Sequence, residues 1–299
     1  MKQILKDTIR RIFHIFGVHL SRYPLKHKTP VLNNVFGHTV FQNTQDIGTA
    51  YGRLANVDIH GLGKLWEDGE INFIVNAVKQ GNTVIDIGAN IGIVTLLLAK
   101  LVGPKGRVVS FEPGPMSFAL LTTNVLVNNY KNITLVNNAV SSISGTEQLF
   151  ICPSGESDNQ VSKLPLDWEE DRISIPCHTV SLDDYFSRGG NDGAIDFIKI
   201  DTQGGEYKAL LGMKNLLARN KNIRLTVEYA SYLPLWLESE KHEFFDLVRS
   251  LGFYIYDLKS VTPKLVSEKD LLEMYPRNTY RSTGSGLCTT LLLQRDRNI

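Results

Sequence analysis

The run Val84–Lys100, VIDIGANIGIVTLLLAK, decides the fold. An apolar run meets an acid, Asp86, and then a glycine-spaced bend, Gly88-Ala89-Asn90-Ile91-Gly92. A second apolar run with a helical period follows. A short buried strand leading through a tight turn into a helix leaves backbone N–H groups facing outward and lets a ligand approach the main chain closely. In an open parallel sheet, ligands collect at the carboxyl ends of the strands, near the switch in strand order.

The surrounding chain repeats this unit. Ile71, Ile74, Val75 and Val78 recur at helical spacing and Gly81 closes that segment. RVVSFEP reads as a strand, residues from about 115 to 128 as a helix, and ITLVNNAV as a strand. Later come FIKID as a strand, EYKALLGMKNLLAR as one helix, and IRLTVEY as a strand. A helix around His242–Leu251, FYIYDL and GLCTTLLLQR close the series. Strands alternating with helices of this length imply an α/β domain: a mostly parallel sheet with helices on both faces. Residues 66–299 are read as that domain. Residues 1–65 are read as an N-terminal basic helix and an irregular cap. Between about 141 and 194 the alternation lapses into two strands flanking a polar loop, which is expected to be mobile and of a length common in lids.

Composition narrows the function classes. The 299 residues carry a formal net charge of +1, without the basic excess usual in nucleic-acid binders, so no nucleic-acid partner is expected. The three cysteines, Cys152, Cys177 and Cys288, are far apart and show no CxxC spacing, which suits a reducing, cytoplasmic setting and gives no zinc signature. No apolar run is long enough to span a bilayer. The first segment, with Lys2, Lys6, Arg10 and Arg11 beside Ile4, Leu5, Ile12, Phe13 and Phe16, has two readings: a helix lying on the protein's own body, or one resting on an anionic membrane surface.

The bend itself selects a ligand. A dinucleotide fingerprint wants a second and a third glycine; here Asn90 stands at the middle position and none follows at Val94 or Thr95. Asp86, inside the strand end, opposes phosphates but suits a ligand with a positive charge and hydroxyls. S-adenosyl-L-methionine carries a sulfonium, an amino group and a ribose, and no phosphate. Glu112 ends the next strand 24 residues after Gly88, placed to accept hydrogen bonds from ribose hydroxyls. Pro113 then stops that strand.

VIDIGANIG, the FEP after the second strand, NNAVSS, VSLDDYF and IKIDTQGGEYKALLGM together resemble the signature set of FkbM-type S-adenosylmethionine-dependent methyltransferases, over roughly Glu70 to Gln294. The resemblance implies a class I methyltransferase fold, a Rossmann-like sheet of seven strands whose last strand runs antiparallel. It implies that Asp86, Gly88, Asn90 and Gly92 line the donor's methionine part, that Glu112 with Pro113 holds the ribose, and that Asn138 and Ala139 lie near the adenine. Asp201 would face the transferred methyl, and O-methylation of a saccharide or natural-product hydroxyl would be the reaction. The family's Asp-x-Glu-Gly-x-Glu is here Asp201-Thr202-Gln203-Gly204-Gly205-Glu206, and the missing carboxylate argues against a hard-cation site in that loop.

Candidate catalytic residues are Asp201, Glu206 and Glu228. Each has a structural alternative: Asp201 as a donor anchor, Glu206 as an acid serving the next helix's dipole, Glu228 as a satisfied buried carboxylate. Asp183 and Asp184 are expected to cap the helix after them. Tyr229, Tyr232 and Trp236 would line an acceptor pocket or pack the core. His60 and His178 read as packing or surface residues. Two other functions stay open at this level: a nicotinamide-dependent oxidoreductase, and a cofactor-fold scaffold that transfers nothing. A base methylase is disfavoured, because Thr202-Gln203-Gly204 stands where a Pro-Pro-aromatic string is usual.

Overall fold

The computed structural model describes residues 30–43, 69–151, 161, 173–188, 194–230, 238–260, 262–275 and 288–297. The expected N-terminal basic helix, a domain boundary near residue 65, the polar loop and its mobility, His60, Tyr232 and Trp236 lie outside the described residues.

The main sheet has eight strands in the order β12-β11-β13-β10-β9-β3-β4-β5. In chain order these are β3 (Thr83–Ile87), β4 (Arg107–Phe111), β5 (Ile133–Val136), β9 (Phe197–Ile200), β10 (Arg224–Ala230), β11 (Tyr254–Asp257), β12 (Lys264–Leu265) and β13 (Cys288–Gln294). Strands β5, β4, β3, β9 and β10 pair in parallel, and β13 inserts antiparallel between β10 and β11. The expected seven-stranded arrangement is therefore present, extended by the two-residue β12 on β11. The strand order reverses between β3 and β9, which puts the switch point at the bend after Ile87.

Alternation along the strands divides the core into two layers. One packs Ile85, Ile87, Phe111, Ile198, Ile200 and Val227 beneath α5 (Glu206–Leu211), α6 (Lys214–Arg219) and α7 (Glu238–Ser250). The other packs Val84, Val108 and Phe197 beneath α1 (Gly69–Ala77), α2 (Ile93–Val102) and α3 (Pro115–Val127). Helix α2 is buried along nearly its whole length, as its apolar composition on every side requires. Gly92 precedes it at φ 92°, where a Cβ would lie 2.5 Å from Leu121 Cδ1 of α3.

Three local readings are corrected. ITLVNNAV is not one strand: β5 stops at Val136, and β6 (Ala139–Val140) joins β7 (Gly145–Ile151) and β8 (Ile173–Val180) in a separate sheet of order β6-β8-β7. EYKALLGMKNLLAR is two helices, because Gly212 meets the carbonyl of Ser141 so closely that a Cβ would sit 2.1 Å away. In α4 (Leu182–Arg188), Ser181 Oγ, not an aspartate, accepts Asp184 N at 3.1 Å. Asp183 instead caps α6, accepting Leu216 N at 2.7 Å and Asn215 N at 3.0 Å.

Within residues 1–65 the described part is a hairpin, β1 (Pro30–Val35) with β2 (His38–Asn43), which the sequence reading took as irregular. Its edge docks on α3 through side-chain amides spaced one turn apart. Asn124 accepts Phe41 N at 2.7 Å and donates to Phe41 O at 3.0 Å; Asn128 accepts Thr39 N at 3.0 Å and donates to Thr39 O at 2.7 Å. Asn124 Nδ2 also donates to Ile91 O in the glycine bend, at 2.8 Å.

Candidate active site

Register converts the strands into two successive polar rows on the α2 side of the sheet. Ser110 stands opposite Asp86, Asp86 opposite Lys199, and Lys199 opposite Thr226. All four are buried to 2% exposure or less. One step further along the same face come Glu112, Gly88, Asp201 and Glu228, at the carboxyl edge. Parallel pairing thus gathers four distant sequence segments into one line.

The lower row is a hydrogen-bonded brace. Thr95 Oγ1 of α2 donates to Asp86 Oδ2 at 2.6 Å and lies 3.0 Å from Ser110 Oγ. Burial pushes the Asp86 carboxyl above its usual pKa, while Lys199 and Thr95 pull it back. Lys199 Nζ sits 3.7 Å from Asp86 Oδ1, then reaches upward to Gly88 O at 3.3 Å and Asp201 Oδ2 at 3.2 Å. A buried ammonium with two close oxygens and a second carboxylate as ion-pair partner is the arrangement such a charge requires.

The upper row lies at the carboxyl edge of the sheet. Glu112 Oε2 accepts Asn90 N at 2.8 Å and its Oε1 accepts Gly114 N at 2.7 Å. Asn90 holds a left-handed backbone, φ 49°, between Gly88 at 77° and Gly92 at 92°. Gly88 is obligatory on two grounds: its φ, and a Cβ that would strike Asp201 O at 1.7 Å. Asp201 keeps a quarter of its side chain exposed. Gln203, itself left-handed at φ 56°, donates from Nε2 to Asp201 Oδ1 at 3.1 Å and to Glu228 Oε2 at 2.8 Å. Burial, then Asp201 and Glu206, push the Glu228 carboxyl well above its usual pKa.

Several sequence expectations meet limits here. Asp86 has no exposed surface; its Oδ2 accepts Thr95 Oγ1, and its Oδ1 has no hydrogen-bond partner among the described residues behind the bend. Glu206 is 1% exposed and its Oε1 accepts Thr202 N, Thr202 Oγ1 and Gly204 N at 2.9, 2.9 and 3.1 Å. Those contacts have it shape the 202–204 loop. Ala139 packs with Leu149, Ile151 and Cys177 in the small sheet's core, while Asn138 beside it is half-buried. Pro113 is half-buried at the start of the turn. Tyr229 is a core ring, packed against Phe245 and Tyr275. His178 is an exposed strand residue.

Three contributors escaped sequence reasoning: Lys199, Thr95 and Asn137, whose Nδ2 donates to Glu112 O at 2.8 Å. Lys199 had a signal, a lysine inside the otherwise apolar FIKI, since an unpaired lysine is almost never fully buried. Asn137 and Thr95 had none.

Residues 86–255, more than half of the chain, match the methyltransferase FkbM domain family. The chain belongs to that family. It is an S-adenosylmethionine-dependent methyltransferase, and the FkbM assignment removes the nicotinamide alternative. No curated protein matches the sequence. Among solved structures, the chain is similar to the FkbM methyltransferase of Methylobacillus flagellatus at 16% identity and TM-score 0.44, covering 83% of this chain and 57% of that one. It is similar to an S-adenosylmethionine-dependent methyltransferase of Aquifex aeolicus at 16% identity and TM-score 0.40, covering 80% and 98%. An rRNA methylase of Streptococcus thermophilus matches at 13% identity and TM-score 0.41, covering 75% and 92%. These likenesses are too distant to carry anything about the acceptor.

The FkbM donor suits the residues present. Even without Glu228, the two rows hold Asp86, Glu112 and Asp201 against the single ammonium of Lys199, a surplus of acid that suits a cationic ligand. The bend at Gly88 presents backbone rather than side chains to it. Among the described residues no helix is long and apolar enough to cross a membrane.

Proposed function

We propose that this FkbM methyltransferase transfers its methyl group to a hydroxyl on a saccharide or natural-product acceptor. S-adenosylmethionine, when bound, supplies an electrophilic methyl carbon on a sulfonium. Glu112 would hold the ribose hydroxyls, the Gly88–Gly92 backbone the methionine part, and Asn138 the edge of the adenine. The observation that carries the reading is Asp201: its main-chain carbonyl lies against Gly88, and its part-exposed carboxylate has one oxygen held by Lys199 and the other by Gln203. A hydroxyl acceptor must lose a proton, and Asp201 is the carboxylate placed to take it. Glu228, whose carboxyl is pushed well above its usual pKa by burial and by Asp201, would face a second acceptor oxygen beside it.

Methyl-labelled S-adenosylmethionine with a panel of polyhydroxylated acceptors tests the reading. Label is expected on oxygen, and Asp201→Asn is expected to lower the rate by about 10²-fold or more, the usual range for losing a general base. Label recovered on nitrogen or carbon, or an unchanged rate in the folded Asp201→Asn variant, would overturn it.

A further inference from the structure

The amide of Gln203 stands between two carboxylates. A primary amide nitrogen carries two hydrogens and accepts nothing, so the contacts to Asp201 Oδ1 and Glu228 Oε2 use both donors. The opposite amide orientation would set a carbonyl oxygen against Asp201 Oδ1 and leave that contact without a donor, so the nitrogen-facing orientation satisfies the pair better. The posture is imposed by the loop. Gln203 and Gly204 both take positive φ, 56° and 107°, and Glu206 fastens the loop from below through Thr202 and Gly204.

The charged groups around the pair are Asp86 from β3, Lys199 and Asp201 from β9, Glu206 from the start of α5, and Glu228 from β10. Lys199 is engaged with Asp86, Gly88 O and the far oxygen of Asp201. Two carboxyl groups this close need a proton, a cation or a donor between them. Here the intervening group is a neutral amide.

We propose that Gln203 is a positioning residue that holds Asp201 and Glu228 together as a metal-free acid pair, its two amide hydrogens filling the space a divalent cation would require. The chemistry of that space is set by one atom. A divalent cation such as Mg²⁺ or Mn²⁺ needs oxygen lone pairs, and the Nε2 hydrogens repel it. Gln203→Glu replaces that nitrogen with oxygen at constant shape and brings a third carboxylate onto the other two. The catalytic meaning of the pair rests on the hydroxyl-transfer reading above; the test below uses neither acceptor nor donor, so it stands or falls separately.

The full chain is titrated with Mn²⁺ and free ion is followed by its electron paramagnetic resonance signal, for wild type, Gln203→Met and Gln203→Glu. Only Gln203→Glu is expected to take up Mn²⁺, at least about tenfold more tightly than the other two. Equal uptake by wild type and Gln203→Glu would overturn the proposal, as would a folded Gln203→Glu variant with no gain. Carbon-detected titration of the Glu228 carboxyl in wild type and Gln203→Met covers the case in which the acidic variant does not fold. Loss of the amide donors removes a bond to the charged form, so the Glu228 midpoint is expected to rise by about one unit. An unmoved midpoint would also overturn the proposal.

Discussion

Glu112 and Asn90 are joined across the donor bend: the carboxylate of one accepts the main-chain N–H of the other at 2.8 Å. With its second oxygen on Gly114 N, Glu112 braces both the bend and the entry to α3. Its side chain therefore shapes the backbone of the bend, which the proposed donor would meet.

Replacing Glu112 with alanine is expected to weaken S-adenosylhomocysteine binding by about one to two orders of magnitude, from the roughly 1.5–3 kcal/mol of one charged hydrogen bond. Isothermal titration reads this directly. A folded variant with unchanged affinity would show that the ribose is held elsewhere.

Gly88 and Gly81 separate strain from collision. Both have positive φ, 77° and 85°, but a Cβ on Gly81 has nothing within 4 Å, whereas on Gly88 it meets Asp201 O at 1.7 Å. Gly81→Ala is expected to cost on the order of 1 kcal/mol, the left-handed penalty alone. Gly88→Ala is expected to exceed about 4 kcal/mol, a loss reserved for severe local conflict. Chemical denaturation of the two variants measures both; equal losses would refute the close approach of β9's end to the bend.

Glu228 makes stability depend on pH with a definite sign. Its folded pKa lies well above the ordinary value of 4.5, so the folded state binds the proton more tightly than the unfolded chain does. Its contribution is most favourable below pH 4.5 and is progressively lost as pH rises from there toward the folded pKa. Glu228→Gln removes that loss. The variant is expected to melt at a higher temperature than wild type at pH 8, with the difference shrinking as the pH is lowered to 4.5. A difference that is constant across the range, or that grows in acid, would contradict the burial of this carboxyl.

The parallel sheet and the donor bend were legible because their signals are local. Asp86, Gly88, Asn90 and Gly92 sit within seven residues of one another, and Glu112 marks the next strand end. The hairpin was not legible, because its two-residue turn is Phe36-Gly37 at φ 55° and 81°. Phenylalanine is a poor residue for that geometry, where Asn-Gly or Gly-Gly is the usual signal. Burial of its ring, 1% exposed, offsets the strain, and burial is a tertiary fact. Gly212 hid the break between α5 and α6 for a related reason. Its φ is an ordinary −79°, and what forbids a longer helix is the Ser141 carbonyl, 71 residues away in sequence. Asp86 was rightly placed at a strand end and Glu206 at the start of a helix, but sequence does not say which way a carboxylate folds once its neighbours close over it.

The two asparagines on α3 have a consequence for dissecting the protein. They serve the hairpin as a surrogate neighbouring strand, and Asn124 spends its remaining hydrogen on Ile91 O, in the same bend that Glu112 fastens from the front. A fragment beginning at Gly69 would keep every strand of the large sheet yet strip that amide of two of its three partners. Removing the hairpin is therefore expected to loosen the anchor of Ile91 as well as the packing of α3.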